Sequence, residues 1–244
     1  MQIVNKFSPI SLKEMDRVSL MKRTDTKFIL HKNQLPGLLE TIKDSYKILE
    51  IDGGRMMTYT SLYFDTAGKK FYLDHHNGKV NRTKVRMRKY IESGKCFLEI
   101  KQKDGKGRTH KSRIPINEIA EDLSKKSRAF IKEITQESFD LRPTIWNKFN
   151  RMTLVHKTAK ERLTIDLNLC FSLQESLEHY TDLAIIEVKQ ERFNRKSPVV
   201  KTLKETGIYP FNISKYCMGM LRINEGLKYN RFKQKVLKIN KLTA

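Results

Sequence analysis

The segment KVRMRKY, residues 84–90, decides the fold. Alternate side chains of a strand point to opposite faces, so Arg86 and Arg88 share one face while Val85 and Met87 share the other. Two neighbouring guanidinium groups can each bind phosphate oxygens in a bidentate manner. On this pair alone, an ordinary solvent-exposed face would be the better interpretation. The segment predicts a strand with one cationic face and one apolar face, and its meaning depends on whether other segments repeat the pattern.

Seven further segments have strand character, and most repeat this alternation. They cover residues 23–28, 58–65, 96–101, 109–114, 149–154, 162–167 and 185–189. Their charged faces carry Lys27, Glu99, Lys101, Lys111, Arg113, Arg151, Arg162, Glu187 and Lys189. Eight strands is a number at which antiparallel sheets commonly close into a barrel. The pattern therefore predicts an α+β protein built on an eight-stranded antiparallel β barrel.

Two architectures fit this pattern. In an ordinary sandwich the charged faces point to solvent and the apolar faces pack on each other. In an inverted barrel the charged faces line a tunnel, and helices cover the apolar faces from outside. We expect the second, because the charged faces are mostly arginine and helices are predicted at residues 11–21, 34–46, 117–139, 198–205 and 215–222. Like charges inside such a tunnel repel and lose hydration, which implies an anionic guest.

The composition supports this interpretation only as background. The chain has 244 residues, enough for one large domain, and its 49 Lys+Arg against 27 Asp+Glu give a net charge of +22. Such a charge attracts nucleic acid, anionic lipid or polyphosphate without choosing among them. Cys96, Cys170 and Cys217 are far apart, and the N-terminus has no apolar signal-peptide core. We therefore expect reduced thiols in a cytoplasmic protein without a membrane-spanning segment.

Carboxylates among the cations indicate a metal site. Glu99 and Glu187 each begin a Glu-x-Lys unit, and a carboxylate beside phosphate oxygens suits a hard divalent cation. The alternative is a cross-strand ion pair with lysine. We favour a metal at Glu187 more than at Glu99, and Asp166 is a weaker third candidate. The sequence has no Walker A loop, no Gly-x-Gly-x-x-Gly loop and no nucleophile elbow, so covalent catalysis has no visible candidate.

A family resemblance rests on eight segments in a specific order and spacing. They are RTDTKFIL, SLYFDT, KVRMRKY, FLEIKQK, NRMTLVHK, ERLTIDLNL, IIEVKQ and SKYCMG. Over residues 7–222 the chain resembles the catalytic domain of the vacuolar transporter chaperone (VTC) family, a branch of the CYTH-like triphosphate tunnel metalloenzymes. The resemblance implies the triphosphate tunnel fold, an eight-stranded antiparallel tunnel with helices packed outside.

The resemblance also implies roles for individual residues. It makes Lys27, Arg86, Arg88, Lys101, Arg151 and Arg162 the catalytic residues that grip phosphates along the tunnel. Lys111 or Arg113 adds a further substrate contact, Glu187 holds Mn²⁺ or Mg²⁺, and Ser214 with Lys215 closes on the phosphate chain. A helix N-terminus at Ser214 is independently a sensible phosphate site. From its place on the strand, Lys189 would supply another point charge to the substrate.

Members of this branch look like polyphosphate polymerases with ATP as the phosphate donor. Hydrolytic tunnel enzymes typically begin with Glu-x-Glu-x-Lys, whereas this chain has Arg23-x-Asp25-x-Lys27. Fewer carboxylates give weaker support for a second metal and an activated water, which favours phosphoryl transfer over hydrolysis. Two alternatives stay open, namely an inorganic or nucleoside triphosphatase and a non-catalytic module that binds polyanions or RNA.

The remaining expectations concern organisation and partners. The tunnel domain should cover residues 1–222, and a basic C-terminal tail, helical or frayed, should cover residues 223–244. The tail could contact an anionic membrane face or the product, although a solvated helix is an equally good interpretation. The expected ligands are ATP, inorganic phosphate and polyphosphate, and nucleic acid is not expected. Translocation of a product would need a separate membrane protein as partner, which would place this protein at the inner membrane face.

Overall fold

The structure, a computed structural model, describes residues 2–17, 23–106 and 108–243. Within these ranges the sheet has eleven strands: β1 (Ser8–Ile10), β2 (Thr24–His31), β3 (Tyr46–Leu49), β4 (Met57–Thr66), β5 (Arg82–Tyr90), β6 (Cys96–Lys103), β7 (Thr109–Ile116), β8 (Leu141–His156), β9 (Glu161–Leu173), β10 (Ser176–Tyr180) and β11 (Leu183–Gln190). The α-helices are α1 (Leu12–Arg17), α2 (Leu35–Ile42), α3 (Lys70–His76), α4 (Lys125–Thr135), α5 (Pro198–Glu205), α6 (Lys215–Ile223) and α7 (Lys233–Thr243). Short 3-10 helices occupy Gln2–Lys6, Lys32–Gln34, Lys43–Ser45 and Asn230–Phe232. None of the helices in these ranges is both long enough and apolar enough to cross a membrane.

The eight predicted strands form one continuous antiparallel path. Its order is β2-β11-β9-β8-β4-β5-β6-β7, and the α+β prediction is confirmed. The sequence did not predict the short strands β1, β3 and β10, which attach to the path through β8 and β9. They have three to five residues, too few for alternation to be recognised.

The sheet curls so that its distant strands face each other. Five pairing steps separate β11 from β6, and a flat sheet would place them about 24 Å apart. The Glu187 carboxylate on β11 nevertheless acts electrostatically on the pKa of Lys101 on β6. In the same way Lys27 on β2 acts on the pKa of Lys84 on β5. The concave face of the curled sheet thus encloses these charged groups.

Closure of the barrel is where the prediction and the structure differ. Strands β2 and β7 end the hydrogen-bonded path, and among the described residues they do not pair with each other. Both edge strands carry cations, Lys27 on β2 and Lys111 and Arg113 on β7, and like charges directly opposite each other disfavour pairing. The result is a tunnel-like trough whose fold class is the predicted one.

Helices bury the convex, apolar face of the sheet. One buried cluster joins Val85, Met87 and Leu98 to Ile131 of α4. A second joins β2, β8, β9 and β11 to α2 and α5 through Phe28, Leu35, Leu39, Met152, Leu163, Ile186, Val199 and Leu203. Because the apolar faces pack outward against helices, the charged faces are left to line the concave side, as the inverted arrangement requires. The sandwich alternative is therefore not what forms.

Several helices are shorter than the sequence indicated. Residues 18–21 of the first predicted helix lie outside the described residues, and its described part is α1, Leu12–Arg17. The helix predicted to run to residue 46 gives way at Lys43–Ser45 to a 3-10 turn and then to β3. The helix predicted over residues 117–139 begins only after Ser124, whose Oγ accepts a hydrogen bond from the Ser127 amide. Helix α5 has the predicted bounds, and α6 extends one residue beyond them.

Helix α6 packs on the concave face at one end of the trough. Its side chains join Tyr63, Ile145 and Phe171 in a buried cluster that also contains Phe232 and Ile239 from the C-terminal segment. Gly219 makes the close approach possible, because a Cβ at that position would lie 2.6 Å from Ile145 Cδ1 and closer still to the Phe171 ring. The concave face is therefore apolar and filled at one end and charged at the other. The division into residues 1–222 and 223–244 stays a prediction, although part of the tail packs in this cluster.

Candidate functional site

The charged end of the trough is the candidate site, and we call it the cationic pocket. Its cations are Lys27, Lys84, Arg86, Arg88, Lys101, Lys111, Arg151, Arg162, Lys189 and Lys215, and its carboxylates are Asp25, Glu99, Asp166 and Glu187. Ten cations against four carboxylates leave an excess of six positive charges. Every candidate residue named from the sequence lies in this pocket or at its rim.

Glu99 lies between two cations on neighbouring strands. Its Oε2 accepts from Arg86 Nε at 2.9 Å and Nη2 at 2.6 Å, and its Oε1 forms an ion pair with Lys111. The carboxylate is 0% exposed. Burial raises the pKa of Glu99, but Arg86, Arg88 and Lys111 outweigh it and hold the pKa well below its usual range. Glu99 is therefore ionised, and its contacts fit a cross-strand ion pair better than a metal site.

Asp166 makes the second such unit and links the sheet to α6. Arg151 donates to it through Nε at 2.5 Å and Nη2 at 2.8 Å, and Lys215 donates to Oδ2. Burial raises the pKa of Asp166, but Arg151 and Lys215 lower it to about 2. The sequence placed Asp166 only third among metal candidates, whereas the structure makes it the partner of two cations from different elements.

Glu187 makes the third unit. Its Oε1 lies 3.0 Å from Lys27 Nζ, and its Oε2 lies 2.6 Å from Lys189 Nζ. Lys189 also contacts Asp25 at 3.2 Å, and Asp25 accepts from Arg23 Nε at 3.0 Å. Burial raises the pKa of Glu187, but Lys189, Lys27 and Arg151 bring it well below its usual range. Each of the three carboxylates thus lies between two cations.

A divalent cation fits this donor set only in part. In the described part of the chain, no three carboxylate, imidazole or thiol groups converge on one point. Mg²⁺ commonly binds through one or two carboxylates together with substrate phosphates and water. Glu187, ionised and on the pocket wall, can serve as that carboxylate if phosphate oxygens complete the ligand set.

Four pocket cations have no carboxylate partner within the described residues. Lys101 and Arg162 form no hydrogen bond or ion pair there, Arg88 donates from Nε only to Ser61 Oγ at 2.9 Å, and Lys84 donates only to Ser214 Oγ at 3.0 Å. Loss of hydration is the first cause that lowers the pKa of each, and Arg88, which is buried, falls to about 10, whereas the Lys101 side chain is exposed at its end of the pocket. The lowered pKa values mean that the pocket disfavours the charged forms of these four cations. A bound anion restores the balance, so the pocket stabilises it.

Aromatic rings that were not predicted as site residues flank the arginines. Tyr59 stacks on Phe149 with centroids 5.2 Å apart, and Arg151 lies 5.1 Å from the centroid of Tyr59. The Tyr63 hydroxyl accepts from Arg86 Nη1 at 3.0 Å. Such contacts fix guanidinium groups in place. The signal was present, because Tyr59, Ser61 and Tyr63 alternate along β4 and face the arginines of β5.

The first turn of α6 brings Ser214 and Lys215 into the pocket. Ser214 Oγ accepts from the Cys217 amide at 3.4 Å and so caps the helix, and it also accepts from Lys84. Lys215 Nζ lies 4.7 Å from the Phe149 centroid. Lys84 was not named among the site residues, although its place two residues before Arg86 puts it on the same face.

Arg113 is the one candidate at the rim. It shares a strand face with Lys111, but its guanidinium lies 4.5 Å from the centroid of Phe97 and contacts no carboxylate in the described region. Of the two residues that the sequence offered for this contact, Lys111 reaches the pocket. The roles of all these residues in binding stay predictions.

Comparisons with known proteins identify a matching family model and solved structures with a similar fold. The family model described as the VTC domain matches residues 22–224. A solved structure from Hippeastrum, described as an adenylyl cyclase candidate with a dominant triphosphatase activity, is 17% identical, with a TM-score of 0.51 over 82% of this chain and 95% of that one. A candidate adenylate cyclase from Vibrio parahaemolyticus is 9% identical, with a TM-score of 0.49 over 81% and 99%. No curated protein matches the chain.

Proposed function

Because the chain belongs to the VTC domain family, we propose that its cationic pocket binds the triphosphate of ATP and transfers the γ-phosphate to a growing polyphosphate chain. The observation that supports this most is the excess of six positive charges in a pocket that curled strands and helices enclose. The proposed ligands are ATP, inorganic phosphate and polyphosphate, and the proposed metal is Mn²⁺ or Mg²⁺.

Binding would begin at the cations that lack carboxylate partners. Arg88, Lys101 and Arg162 offer donors without first breaking an ion pair. A triphosphate carries enough oxygens to reach the paired cations as well, and it then exchanges one anionic partner for another. That exchange costs less than creating an unpaired buried charge. Ser214 and Lys215, at the N-terminus of α6, would contact the chain last.

Catalysis then depends on position and charge. A terminal oxygen of the acceptor phosphate attacks the γ-phosphorus, the bond to the β,γ-bridging oxygen breaks, and ADP leaves with the electron pair. Arg86, Arg88 and Arg151 neutralise charge that develops on the transferred group. A divalent cation held by Glu187, when bound, would supply further neutralisation of the phosphate oxygens. The acceptor oxygen is already anionic, so no general base is needed.

Transfer is favoured over hydrolysis by the start of β2. The stretch Arg23-x-Asp25-x-Lys27 has a single carboxylate, Asp25, which contacts Arg23 and Lys189. This stretch has one carboxylate where hydrolytic tunnel enzymes typically have two, so it gives weaker support for a second metal and an attacking water. This supports an acceptor that is itself a phosphate.

The test is to incubate the protein with ATP and Mn²⁺ and resolve the product on a polyphosphate gel. A ladder of chains is the expected result. Free phosphate without a ladder would support the triphosphatase alternative, an activity described for the Hippeastrum protein that shares the fold. The Arg86→Ala/Arg88→Ala variant should abolish turnover, and unchanged turnover would contradict both enzyme interpretations of the pocket, because the activity would then not come from it.

A further inference from the structure

The C-terminal helix α7 carries positive charge without a compensating acid. After Glu225 the sequence has no Asp or Glu, and its six cations are Lys228, Arg231, Lys233, Lys235, Lys238 and Lys241. In the described residues, none of the lysines of α7 forms an ion pair. Elsewhere on this surface exposed lysines do find acids, as Lys6 does with Glu40. What distinguishes the segment after Glu225 is that it contains six cations and no acid.

The helix is fixed to the body of the protein by its other face. Ile239 is 2% exposed, and it packs in the cluster beneath α6 together with Phe232, whose ring lies just before the helix. The outward face consists of Lys233, Gln234, Leu237, Lys238 and Lys241, and we call it the α7 ridge. Residues four apart are neighbours on a helix, so Leu237 lies between Lys233 and Lys241. The ridge is ordered in advance and needs no folding step to bind.

Apolar groups at the centre of the ridge narrow the choice of partner. Leu237 is 52% exposed, and Lys238 Nζ lies 5.2 Å from the centroid of Phe211. Between them is a shallow, open depression of about 410 Å³ lined by Phe211, Gln234, Lys235, Leu237, Lys238 and Lys241. Tyr209, two residues from Phe211, is 58% exposed. A phosphate chain has no apolar surface to place against Leu237 and Phe211, whereas a phospholipid has both an anionic headgroup and an acyl chain.

We propose that the α7 ridge docks on an anionic lipid bilayer. The lysines pair with headgroup phosphates, and Leu237 enters the boundary between headgroups and acyl chains with aromatic side chains beside it. The ridge lies outside the cationic pocket, so docking and phosphoryl transfer use different residues. The docked orientation would hold the pocket at a membrane surface, where a separate membrane protein could receive its product.

The test is co-sedimentation of the full chain with phosphatidylcholine vesicles that contain or lack phosphatidylglycerol, without ATP. The wild type should bind only the anionic vesicles, and added salt should weaken binding. Each lysine near an anionic surface strengthens binding roughly five-fold, so Lys233→Gln/Lys238→Gln/Lys241→Gln should weaken it about 100-fold. Leu237→Ser keeps the charge and should still weaken binding.

A matched control changes the same charge elsewhere. Lys125, Lys126 and Lys132 are exposed on α4, and their triple change to Gln should leave vesicle binding nearly unchanged. An equal loss in this control, or equal binding to neutral vesicles, would overturn the proposal. So would a ridge variant that binds vesicles normally but loses affinity for long-chain polyphosphate, because the ridge would then be a product surface. Vesicle binding is read without turnover, so failure of the proposed polymerase activity is a separate result.

Discussion

Replacing Asp166 by Asn removes one charge from the centre of the cationic pocket and leaves Arg151 and Lys215 without their shared partner. The pKa of Asp166 is about 2, against about 3.9 for an unperturbed Asp, and that difference corresponds to about 2.5 kcal/mol. Two buried cations without a carboxylate cost more, and loss of one partner from a buried pair typically costs about 3–5 kcal/mol. We therefore expect the variant to lose about 3 kcal/mol of unfolding free energy.

The same variant should respond more strongly to a polyanion. Arg151 and Lys215 are then free to bind phosphate, so saturating tripolyphosphate should raise the unfolding temperature of Asp166→Asn more than that of the wild type. For a chain of this size about 3 kcal/mol corresponds to a melting temperature lower by roughly 6–12 °C, measurable by calorimetry. The matched control is Asp140→Asn, since Asp140 and Arg142 form a surface pair with the Asp140 side chain 74% exposed.

Three outcomes would refute this reasoning. If Asp166→Asn melts like the wild type without ligand, the carboxylate does not balance the two cations. A drop of the same size in Asp140→Asn would show that any lost carboxylate has this effect. An equal rise with tripolyphosphate in wild type and Asp166→Asn would mean that the released cations do not meet the anion.

Further predictions concern stability, acid sensitivity and the different roles of Arg151 and Arg162. Gly219→Ala should cost about 2 kcal/mol of unfolding free energy because the added methyl collides beneath α6, whereas Gly37→Ala, in open space on α2, should be neutral or stabilising in the same thermal melt. The pKa of Asp166 is lowered on folding, so its contribution to the free energy of unfolding is present above about pH 4 and is lost as the pH falls toward 2. In an acid titration the wild type should therefore lose stability more steeply over this pH range than Asp166→Asn does. Arg162→Ala should weaken tripolyphosphate binding about ten-fold in calorimetry with unfolding free energy unchanged, while Arg151→Ala should lower both, and equal stability losses would contradict the difference in their pairing.

The strands were predictable because each has a period of two and carries its charges on one face. Lys27, Arg86, Glu99 and Glu187 could therefore be placed on the concave side before their partners were known. Local alternation does not encode which charged groups face each other across a curled sheet. The pairing of Asp166 with Lys215, 49 residues later, depends on how α6 packs against the sheet, and that depends on the absence of a side chain at Gly219.

Helix ends and barrel closure were harder to predict for separate reasons. The periodicity predicted a helix over residues 117–139 with Asn117 as its cap. Ser124 caps the helix instead, so α4 begins at Lys125. At the other end Gln136 adopts φ 59°, a left-handed conformation that ends the helix and that periodicity does not reveal. Closure depends on whether two cationic edges approach each other, which is a property of the folded charge distribution.

The three units in which one carboxylate lies between two cations have a consequence for how a phosphate chain would move. A chain that advances by one phosphate breaks contacts with a cation and makes equivalent contacts with the next, while the released cation returns to Glu99, Asp166 or Glu187. None of the six cations of these three units is then without an anionic partner at any stage, so successive registers differ little in free energy and the barrier between them stays low. Each carboxylate would thus pair with a cation whenever the phosphate chain releases it, so that a tightly bound polyanion can still move along the pocket.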